Sequence, residues 1–261
     1  MSDQRQTSSA RHARILELAA HTAFVRPTDL AAELGVSAET IRRDLLVLED
    51  AGRVRRVHGG ALSLDRRDTI PARDDRRVAQ RKQKQEIGAI VASLVSDGDV
   101  LLMEIGTTME MAARALPSGW SGTVVTNSLA VGAILNDRPS VDLQVLGGRV
   151  RLGEMNTFGP DALTQLAGIN ATIAFLAVGG VSVEAGLTDY YPEDVAVKHL
   201  MMRRATRTYA LADSNKLEIR TTRSVCNLAD VDAIITDSSA DGGSLERLRA
   251  RGATVLTQPQ R

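Results

Sequence analysis

The sequence predicts an α/β fold class, in which an N-terminal winged helix-turn-helix precedes a larger α/β core domain. Three observations support this prediction: a capped helix that runs into a basic hairpin, an alternation of β-rich runs with helical stretches, and opposite net charges on the two parts of the chain. The 261 residues suffice for a small module and a domain with its own core. The predicted boundaries are 1–62 for the winged helix-turn-helix, 63–84 for a charged linker and 85–261 for the core domain.

Two short helices are predicted at about 11–20 and 28–34, because each segment carries apolar residues at helical spacing. Their inward residues are Ile15, Leu16, Leu18, Leu30, Ala31 and Leu34. Gly35 and Val36 supply a tight turn, and Ser37 stands where a third helix needs a side-chain oxygen as its N-cap. This order of elements predicts a helix-turn-helix.

The third helix has an apolar face and a polar, cationic face. Ile41, Leu45 and Leu48 recur at helical spacing and form the inward stripe. The residues that fall largely outside this stripe are Glu39, Thr40, Arg42, Arg43 and Asp44. We therefore predict that this helix lies in a DNA groove.

A basic hairpin follows the third helix. Gly52 breaks the helical period, residues 53–58 alternate apolar with basic side chains, and Gly59 and Gly60 permit the turn of a two-stranded wing. An ordinary solvated charged face is the alternative, but the capped helix, cationic face and basic hairpin occur together in the right order. The predicted DNA-binding residues are Ser37, Glu39, Thr40, Arg42, Arg43, Arg53, Arg55, Arg56, His58 and Gly59.

Two runs of residues here, Thr40-Ile41-Arg42-Arg43-Asp44-Leu45 and Arg56 with His58-Gly59-Gly60-Ala61, resemble the DeoR family of bacterial transcription regulators. The resemblance implies a winged helix-turn-helix over about the first 60 residues, a linker, and a C-terminal domain that binds a phosphorylated sugar or related metabolite. It also implies repression of a sugar-catabolism operon until that metabolite releases the repressor from its operator.

The charge distribution agrees with a DNA-binding N-terminal part. The chain has no net charge, but residues 1–85 contain 17 Lys and Arg against 12 Asp and Glu, whereas residues 86–261 contain 15 against 20. The positive part is the one with the helix-turn-helix, as neutralisation of DNA phosphates requires.

Several classes of protein are disfavoured by composition. Cys226 is the single cysteine, which excludes an intramolecular disulfide framework and a cysteine-rich metal site. His12, His21 and His199 lack carboxylate or cysteine partners at ligand spacing, so we expect no metal and no cofactor. No apolar run reaches membrane-spanning length and the first nine residues are polar, so we expect a cytoplasmic protein without a membrane partner.

The predicted linker is dense in charge, and Pro71 blocks a continuous helix across it. We interpret it as a hinge that passes into a helix at about 79–94. A solvated connector is the alternative for most of its charges. In the family, however, an arginine and a lysine eight residues apart often precede the core domain, and Arg76 and Lys84 fit that spacing.

Beyond residue 94 the chain alternates β-rich runs with helical stretches, which predicts a mostly parallel sheet covered on both faces. The predicted strands are Val100–Ile105, Thr123–Thr126, Val141–Leu146, Ile173–Val178, Arg207–Ala212 and Ala233–Thr236. Ligands bind such sheets outside the carboxyl ends of the strands.

Small or hydroxylic residues follow four of these strands. Gly106-Thr107-Thr108 opens a helix, so its amides and hydroxyls are suited to a phosphate. The other three sets are Thr126-Asn127-Ser128, Gly147-Gly148 and Gly179-Gly180. We predict a phosphate-sugar pocket here, against the alternative that these are ordinary loop residues.

The family resemblance continues through the core domain. The matching segments are Asp97-Gly98-Asp99, Gly106-Thr107-Thr108, Val125-Thr126-Asn127-Ser128, Leu146-Gly147-Gly148, Gly186-Leu187-Thr188 and Ala212-Asp213-Ser214-Asn215-Lys216. The core resembles ribose-5-phosphate isomerase in fold, but residues 181–185 carry no convincing acid/base set, which argues against catalysis. Glu104 departs from the family, which usually has aspartate there; the longer carboxylate would reshape the pocket floor or change which sugar hydroxyls are read.

Three further polar residues complete the predicted effector site. The resemblance places Asp213 and Lys216 in the effector-response region, with a surface turn as the alternative. Lys198 is either a counter-charge for the phosphate or a solvent-facing residue. The full predicted set is Arg76, Lys84, Glu104, Gly106, Thr107, Thr108, Thr126, Asn127, Ser128, Gly147, Gly148, Gly179, Lys198, Asp213 and Lys216.

Three functions are compatible with these patterns: a repressor that senses a phosphorylated sugar, a sugar-phosphate isomerase with a DNA module, and a helix-turn-helix protein whose core only oligomerises. The missing acid/base pair disfavours the isomerase. We expect a non-enzymatic regulator whose partners are double-stranded operator DNA, a phosphorylated sugar and further copies of itself. Two half-sites require at least a dimer, and the resemblance allows a tetramer.

Overall fold

The computed structural model describes residues 8–21, 24–51, 53–57, 60–63 and 73–260. The chain divides into two compact units, Met1–Pro71 and Ala72–Arg261. Within the described ranges, no helix combines the length and the apolar character needed to cross a lipid bilayer.

The first unit is a winged helix-turn-helix. Its elements are α1 (Ser8–His21), β1 (Phe24–Val25), α2 (Pro27–Leu34), α3 (Ala38–Asp50), β2 (Val54–Val57) and β3 (Gly60–Ser63). Gly35 ends α2 at a φ of 64°, a left-handed conformation that glycine adopts without a steric penalty. The strands pair antiparallel in the order β1-β3-β2, so the wing has one more strand than predicted. A buried cluster that includes Ile15, Leu30, Ile41 and Leu45 joins the helices.

The second unit alternates helices and strands. Its helices are α4 (Arg73–Val78), α5 (Arg81–Leu94), α6 (Thr107–Ala115), α7 (Leu129–Leu135), α8 (Pro160–Ala167), α9 (Pro192–Arg204) and α10 (Gly242–Ala250), with short 3-10 helices at Ser214–Lys216 and Leu228–Asp230. Its strands are β4 (Val100–Met103), β5 (Gly122–Thr126), β6 (Val141–Val145), β7 (Arg149–Arg151), β8 (Asn156–Phe158), β9 (Ala171–Ala177), β10 (Gly180–Ser182), β11 (Gly186–Asp189), β12 (Ala205–Leu211), β13 (Arg223–Cys226), β14 (Ala233–Ile235) and β15 (Val255–Leu256).

Seven parallel strands form the central sheet in the order β15-β14-β12-β9-β4-β5-β6. All six predicted strands are present, and the two-residue β15 adds the seventh. From β4 the chain moves outward to β6 and then returns to β9, on the other side of β4. The strand order therefore reverses between β4 and β9, which is where sheets of this type bind ligands.

Alternate side chains of the sheet enter two different cores. Leu101 and Met103 of β4 pack with helices α5, α6 and α7, whereas Leu102 between them packs with α8 and α9. This alternation buries both faces of the sheet, as the apolar strands predict. Two small antiparallel sheets, β10-β11-β13 and β7-β8, lie outside it.

Part of the predicted linker belongs to the second unit. Residues 64–72 lie outside the described ranges, and residues 73–84 form α4 and the first turn of α5. The side chains of Arg73 and Glu110 pair at 2.7 Å, which holds α4 against α6.

Candidate DNA interface and effector site

Helix α3 begins as its sequence predicts. Ser37 has extended backbone angles, and its hydroxyl oxygen accepts a hydrogen bond from the amide of Thr40 at 3.1 Å. The hydroxyls of the same two residues lie 2.8 Å apart. Ser37 thus acts as the N-cap and helps to orient Thr40.

The outward face of α3 carries two exposed arginines. The side chains of Arg42 and Arg43 are 57% and 79% exposed. Glu39 lies 3.2 Å from the Arg42 guanidinium and 3.8 Å from that of Arg43. Exposed pairs of this kind contribute little, so the arginines can exchange Glu39 for phosphate or base oxygens at small cost.

The expectation that Asp44 faces outward is wrong. Asp44 is 6% exposed, and its carboxylate accepts hydrogen bonds from the Arg11 guanidinium at 2.6 and 2.9 Å, with His12 Nε2 at 2.9 Å. Burial acts to raise the pKa of Asp44, but the Arg11 and His12 contacts outweigh it and lower the pKa. Asp44 therefore joins α1 to α3 instead of facing DNA.

The wing places basic residues beside α3. Arg53 and Arg56 are exposed, and the Arg56 amide donates to Glu49 Oε1 at 2.8 Å, which ties the wing to the end of α3. Arg55 lies in β2 opposite Leu62. Val57 pairs with Gly60, and the predicted contacts His58 and Gly59 lie outside the described residues.

Helix α6 starts at the reversal of strand order. Gly106 caps it with a φ of 106°, and a Cβ there would lie 3.6 Å from that of Ala177 at the end of β9. Thr107 and Thr108 are 5% and 8% exposed. The predicted phosphate loop, Gly106-Thr107-Thr108, thus lies at the β4/β9 switch point.

Arg76, Lys84 and Thr107 meet at this helix start. Lys84 is 4% exposed, and its ammonium donates to the carbonyl of Ala79 at 2.7 Å and to that of Arg76. The Thr107 hydroxyl donates to the Arg76 carbonyl at 3.3 Å. Burial lowers the pKa of Lys84 to about 8; Asp213 opposes this, while Lys216 and Arg76 add to it.

Asp213 has a clear local role. It is 4% exposed and accepts a hydrogen bond from the Asn215 amide at 3.2 Å, so it caps the short helix that contains Lys216. Its influence on the pKa of Lys84 puts it in the neighbourhood of the phosphate loop.

The alternative that Lys198 faces solvent is wrong, because Lys198 is 1% exposed. Its ammonium lies 2.5 Å from Glu104 Oε1 and 2.8 Å from Asp189 Oδ2. Burial raises the pKa of Glu104 to about 8, with Lys198 opposing the rise and Asp189 and Asp194 adding to it. Burial acts to lower the pKa of Lys198, but the three carboxylates outweigh it and raise the pKa.

The residues after β5 hold neighbouring elements in place. The Thr126 hydroxyl accepts from the Ser128 amide at 3.0 Å, and Ser128 caps α7 through the Val131 amide at 3.1 Å. Asn127 Nδ2 donates to the carbonyl of Thr157 at 3.0 Å, whereas its buried Oδ1 has no partner among the described residues. Asn127 thus joins the end of β5 to β8.

The predicted glycines allow close packing. A Cβ at Gly148, whose φ is 128°, would lie 2.6 Å from the carbonyl oxygen of Phe158. One at Gly179 would lie 2.8 Å from the ring of Tyr190, and the Gly147 amide donates to Gln165 at 3.1 Å. These contacts give the three glycines structural roles, whether or not they also touch a ligand.

A second set of buried polar residues was not predicted. Asp194 Oδ1 accepts from Arg151 Nη2 at 3.1 Å and from Asn156 Nδ2 at 3.3 Å. The Arg151 guanidinium also lies 3.8 Å from the ring centroid of Tyr191. No local pattern marks these residues, because the acid lies on α9 and its partners lie on the distant β7–β8 hairpin. Among the described residues, no group of three His, Cys, Asp or Glu side chains is placed to hold a metal ion.

The fold and the exposed arginines define a helix-turn-helix DNA-binding protein with an attached α/β domain. Residues 11–67 match the DeoR-like helix-turn-helix domain, and residues 79–238 match the DeoR C terminal sensor domain. The chain therefore belongs to the DeoR family, and it is a DNA-binding transcriptional regulator.

Similar proteins include the HTH-type transcriptional repressor CsqR of Escherichia coli, 32% identical over 95% of each chain. The HTH-type transcriptional regulator GlpR of Haloferax volcanii is 31% identical over 94% of this chain and 96% of its own. The glycerol-3-phosphate regulon repressor of Haemophilus influenzae is 30% identical over 90% of this chain and 91% of its own.

Solved structures similar to the chain include ribose 5-phosphate isomerase A from Methanocaldococcus jannaschii. The TM-score is 0.40 at 15% identity, over 53% of this chain and 55% of the isomerase. A similarity of this size indicates nothing about activity.

Proposed function

We propose that the protein represses a carbohydrate-catabolism operon and leaves its operator when a phosphorylated sugar binds the second unit. The names of two relatives, a transcriptional repressor and a glycerol-3-phosphate regulon repressor, support this proposal. The observation that carries it is the buried Lys84 ammonium beside the start of α6. Its described acceptors are neutral main-chain carbonyls, and a phosphate would be a stronger acceptor for the same donors.

On the DNA side, we propose that α3 enters the major groove and that the wing contacts the adjacent backbone. Arg42 and Arg43 are exposed on the side of α3 opposite its buried stripe, as groove contacts require. The proposed contacts are the ten predicted residues from Ser37 to Gly59. Residues 85–261 are proposed to sense the effector and to assemble the protein as a dimer or tetramer, because paired half-sites require at least two copies.

The test is an operator titration by fluorescence anisotropy, with and without a panel of sugar phosphates and their unphosphorylated parents. The panel includes glycerol 3-phosphate and ribose 5-phosphate beside glycerol and ribose. We expect at least one phosphate to weaken operator binding while its parent does not. Release by a free sugar and by none of the phosphates would contradict the proposal.

A further inference from the structure

Helix α4 covers the start of α6. The carbonyl oxygen of Arg76, in α4, accepts hydrogen bonds from both the Lys84 ammonium and the Thr107 hydroxyl. The Ala79 carbonyl, just after α4, takes a second bond from Lys84 at 2.7 Å. The main chain of α4 and its end therefore use the donors that the proposed function assigns to a phosphate.

Side-chain ion pairs hold α4 in this position from two directions. Arg73 pairs with Glu110 of α6 at 2.7 Å, where the carboxylate is 5% exposed. Arg76 pairs with Glu154, in the loop between β7 and β8, and these two side chains are 20% and 14% exposed. The helix thus joins the phosphate loop to the β7–β8 hairpin.

The same site is closed in this arrangement. Lys84, Thr107 and Thr108 are each less than a tenth exposed, and carbonyls of α4 and its end already accept hydrogen bonds from the Lys84 ammonium and the Thr107 hydroxyl. A phosphate oxygen and the Arg76 carbonyl are competing acceptors for one lysine and one threonine. Hydrogen bonds to a charged phosphate oxygen are stronger than those to a carbonyl, so they would offset the free energy needed to displace α4.

We propose that α4 is a latch that a phosphomonoester opens by replacing the carbonyls of Arg76 and Ala79 at Lys84 and Thr107. This inference rests on the proposed function, because it uses the same phosphate loop. Residues 64–72 stand between the DNA-binding unit and α4 in the sequence. Release by linkage requires that the operator complex favours the closed α4, so that ligand and operator bind preferentially to different states of one element.

Glu154→Gln in the full chain tests the latch, because it weakens the Arg76 ion pair and leaves Lys84 and Thr107 intact. Inorganic phosphate is the probe, measured by calorimetry at constant ionic strength. We expect the variant to bind phosphate on the order of fivefold more tightly, because less free energy is needed to open α4. Glu218→Gln is the matched control, since it removes an ion pair to Arg247 at 3.1 Å on a different part of the unit and should leave the affinity unchanged.

Hydrogen exchange separates opening of the latch from a simple change of charge. In ligand-free Glu154→Gln, the amides of residues 77–79, which are hydrogen-bonded within α4, should exchange faster by about the same factor by which phosphate affinity rises. Both changes depend on how often α4 opens. In the wild type, phosphate should accelerate exchange in this segment while it slows exchange at the start of α6.

If Glu154→Gln binds phosphate more tightly but the amides of α4 do not exchange faster, the latch is wrong. The proposed phosphate site would be unaffected by that result. Phosphate that binds the wild type and slows exchange of α4 would also overturn the latch. Absence of phosphate binding to wild type and variant alike would overturn the latch together with the proposed phosphate site.

Discussion

At the scale of single residues, this protein separates charges that face solvent from charges that face each other. Arg42 and Arg43 are exposed on α3, whereas Asp44 beside them is buried against Arg11 and His12. Exposed arginines are available to a polyanion, and a buried, hydrogen-bonded aspartate is a structural tie. The two roles are adjacent in sequence because one helix has two faces.

Replacement of Arg42 and Arg43 by alanine should weaken operator binding. The loss of each base-edge contact costs about 1–3 kcal/mol, whereas loss of a phosphate contact weakens binding to all sequences about equally. Anisotropy titration measures the change, and circular dichroism checks that the variant is folded. Arg114→Ala, an exposed arginine of α6, is the control with the same chemical change. Unchanged affinity of the folded double variant would place the groove contacts elsewhere.

Lys84 should make phosphate binding depend on pH. Its pKa of about 8 means that the ammonium loses its proton as the pH rises from about 7 to about 9, while a phosphomonoester, whose second pKa is about 6, remains dianionic. Affinity for glycerol 3-phosphate should therefore fall across this interval at constant ionic strength. Lys84→Met should bind more weakly and show a flat profile. If the affinity of Lys84→Met falls equally as the pH rises, a group other than Lys84 causes the pH dependence.

At the scale of elements, α3 and the wing are fixed to each other and form the proposed DNA-binding surface. Glu49 near the end of α3 accepts the Arg56 amide at 2.8 Å, so the direction of β2 is set by the helix. A groove-reading helix and a strand fixed to it can contact base edges and backbone together.

Operator binding should weaken steeply with salt because the wing neutralises phosphates. The logarithm of affinity should fall linearly with the logarithm of salt concentration, with a slope of about −0.9 for each phosphate contacted. Arg55→Ala combined with Arg56→Ala should flatten the slope by up to about 2. Arg251→Ala, exposed in the second unit, should leave it as in the wild type. If the double variant keeps the wild-type slope, the wing does not contact the DNA backbone.

At the scale of the whole molecule, the two units communicate only if ligand and DNA prefer different states. The coupling is reciprocal, so a sugar phosphate that weakens operator binding must itself bind less tightly to the operator complex. A variant that has lost ligand binding therefore still binds the operator but is no longer released by the effector. A variant that has lost DNA binding still binds the ligand.

Thr107→Ala combined with Thr108→Ala should nearly keep operator affinity, because Lys84 still binds the Arg76 and Ala79 carbonyls, and should lose release by the effector. A hydrogen bond to a charged group contributes about 1.5–3 kcal/mol, so the variant should need a far higher effector concentration. Operator titrations with the sugar-phosphate panel measure this. Thr164→Ala, an exposed threonine of α8, should respond like the wild type. A normally responsive double variant would exclude these hydroxyls from the site.

The sequence by itself determined the class of fold, and it predicted where a ligand and DNA bind. The Ser37 cap, the α3 stripe, six of the seven sheet strands and the small residues after them follow from local periodicity and turn chemistry. These signals are readable because they repeat within a few residues. The residues predicted for the effector site, from Arg76 to Lys216, were chosen from the ends of strands and from the family resemblance.

Only the tertiary structure decided which polar residues are paired inside the protein. Lys198 meets Glu104 across 94 residues of sequence, Arg151 meets Asp194 across 43, and Arg76 meets Glu154 across 78. Local patterns do not encode such pairs, because a charged residue on a helix has the same spacing whether it faces solvent or a distant carboxylate. The burial of a side chain and its partner depend on how the sheet and helices pack. In this protein the packing pairs the buried Lys198 ammonium with carboxylates and so neutralises its charge.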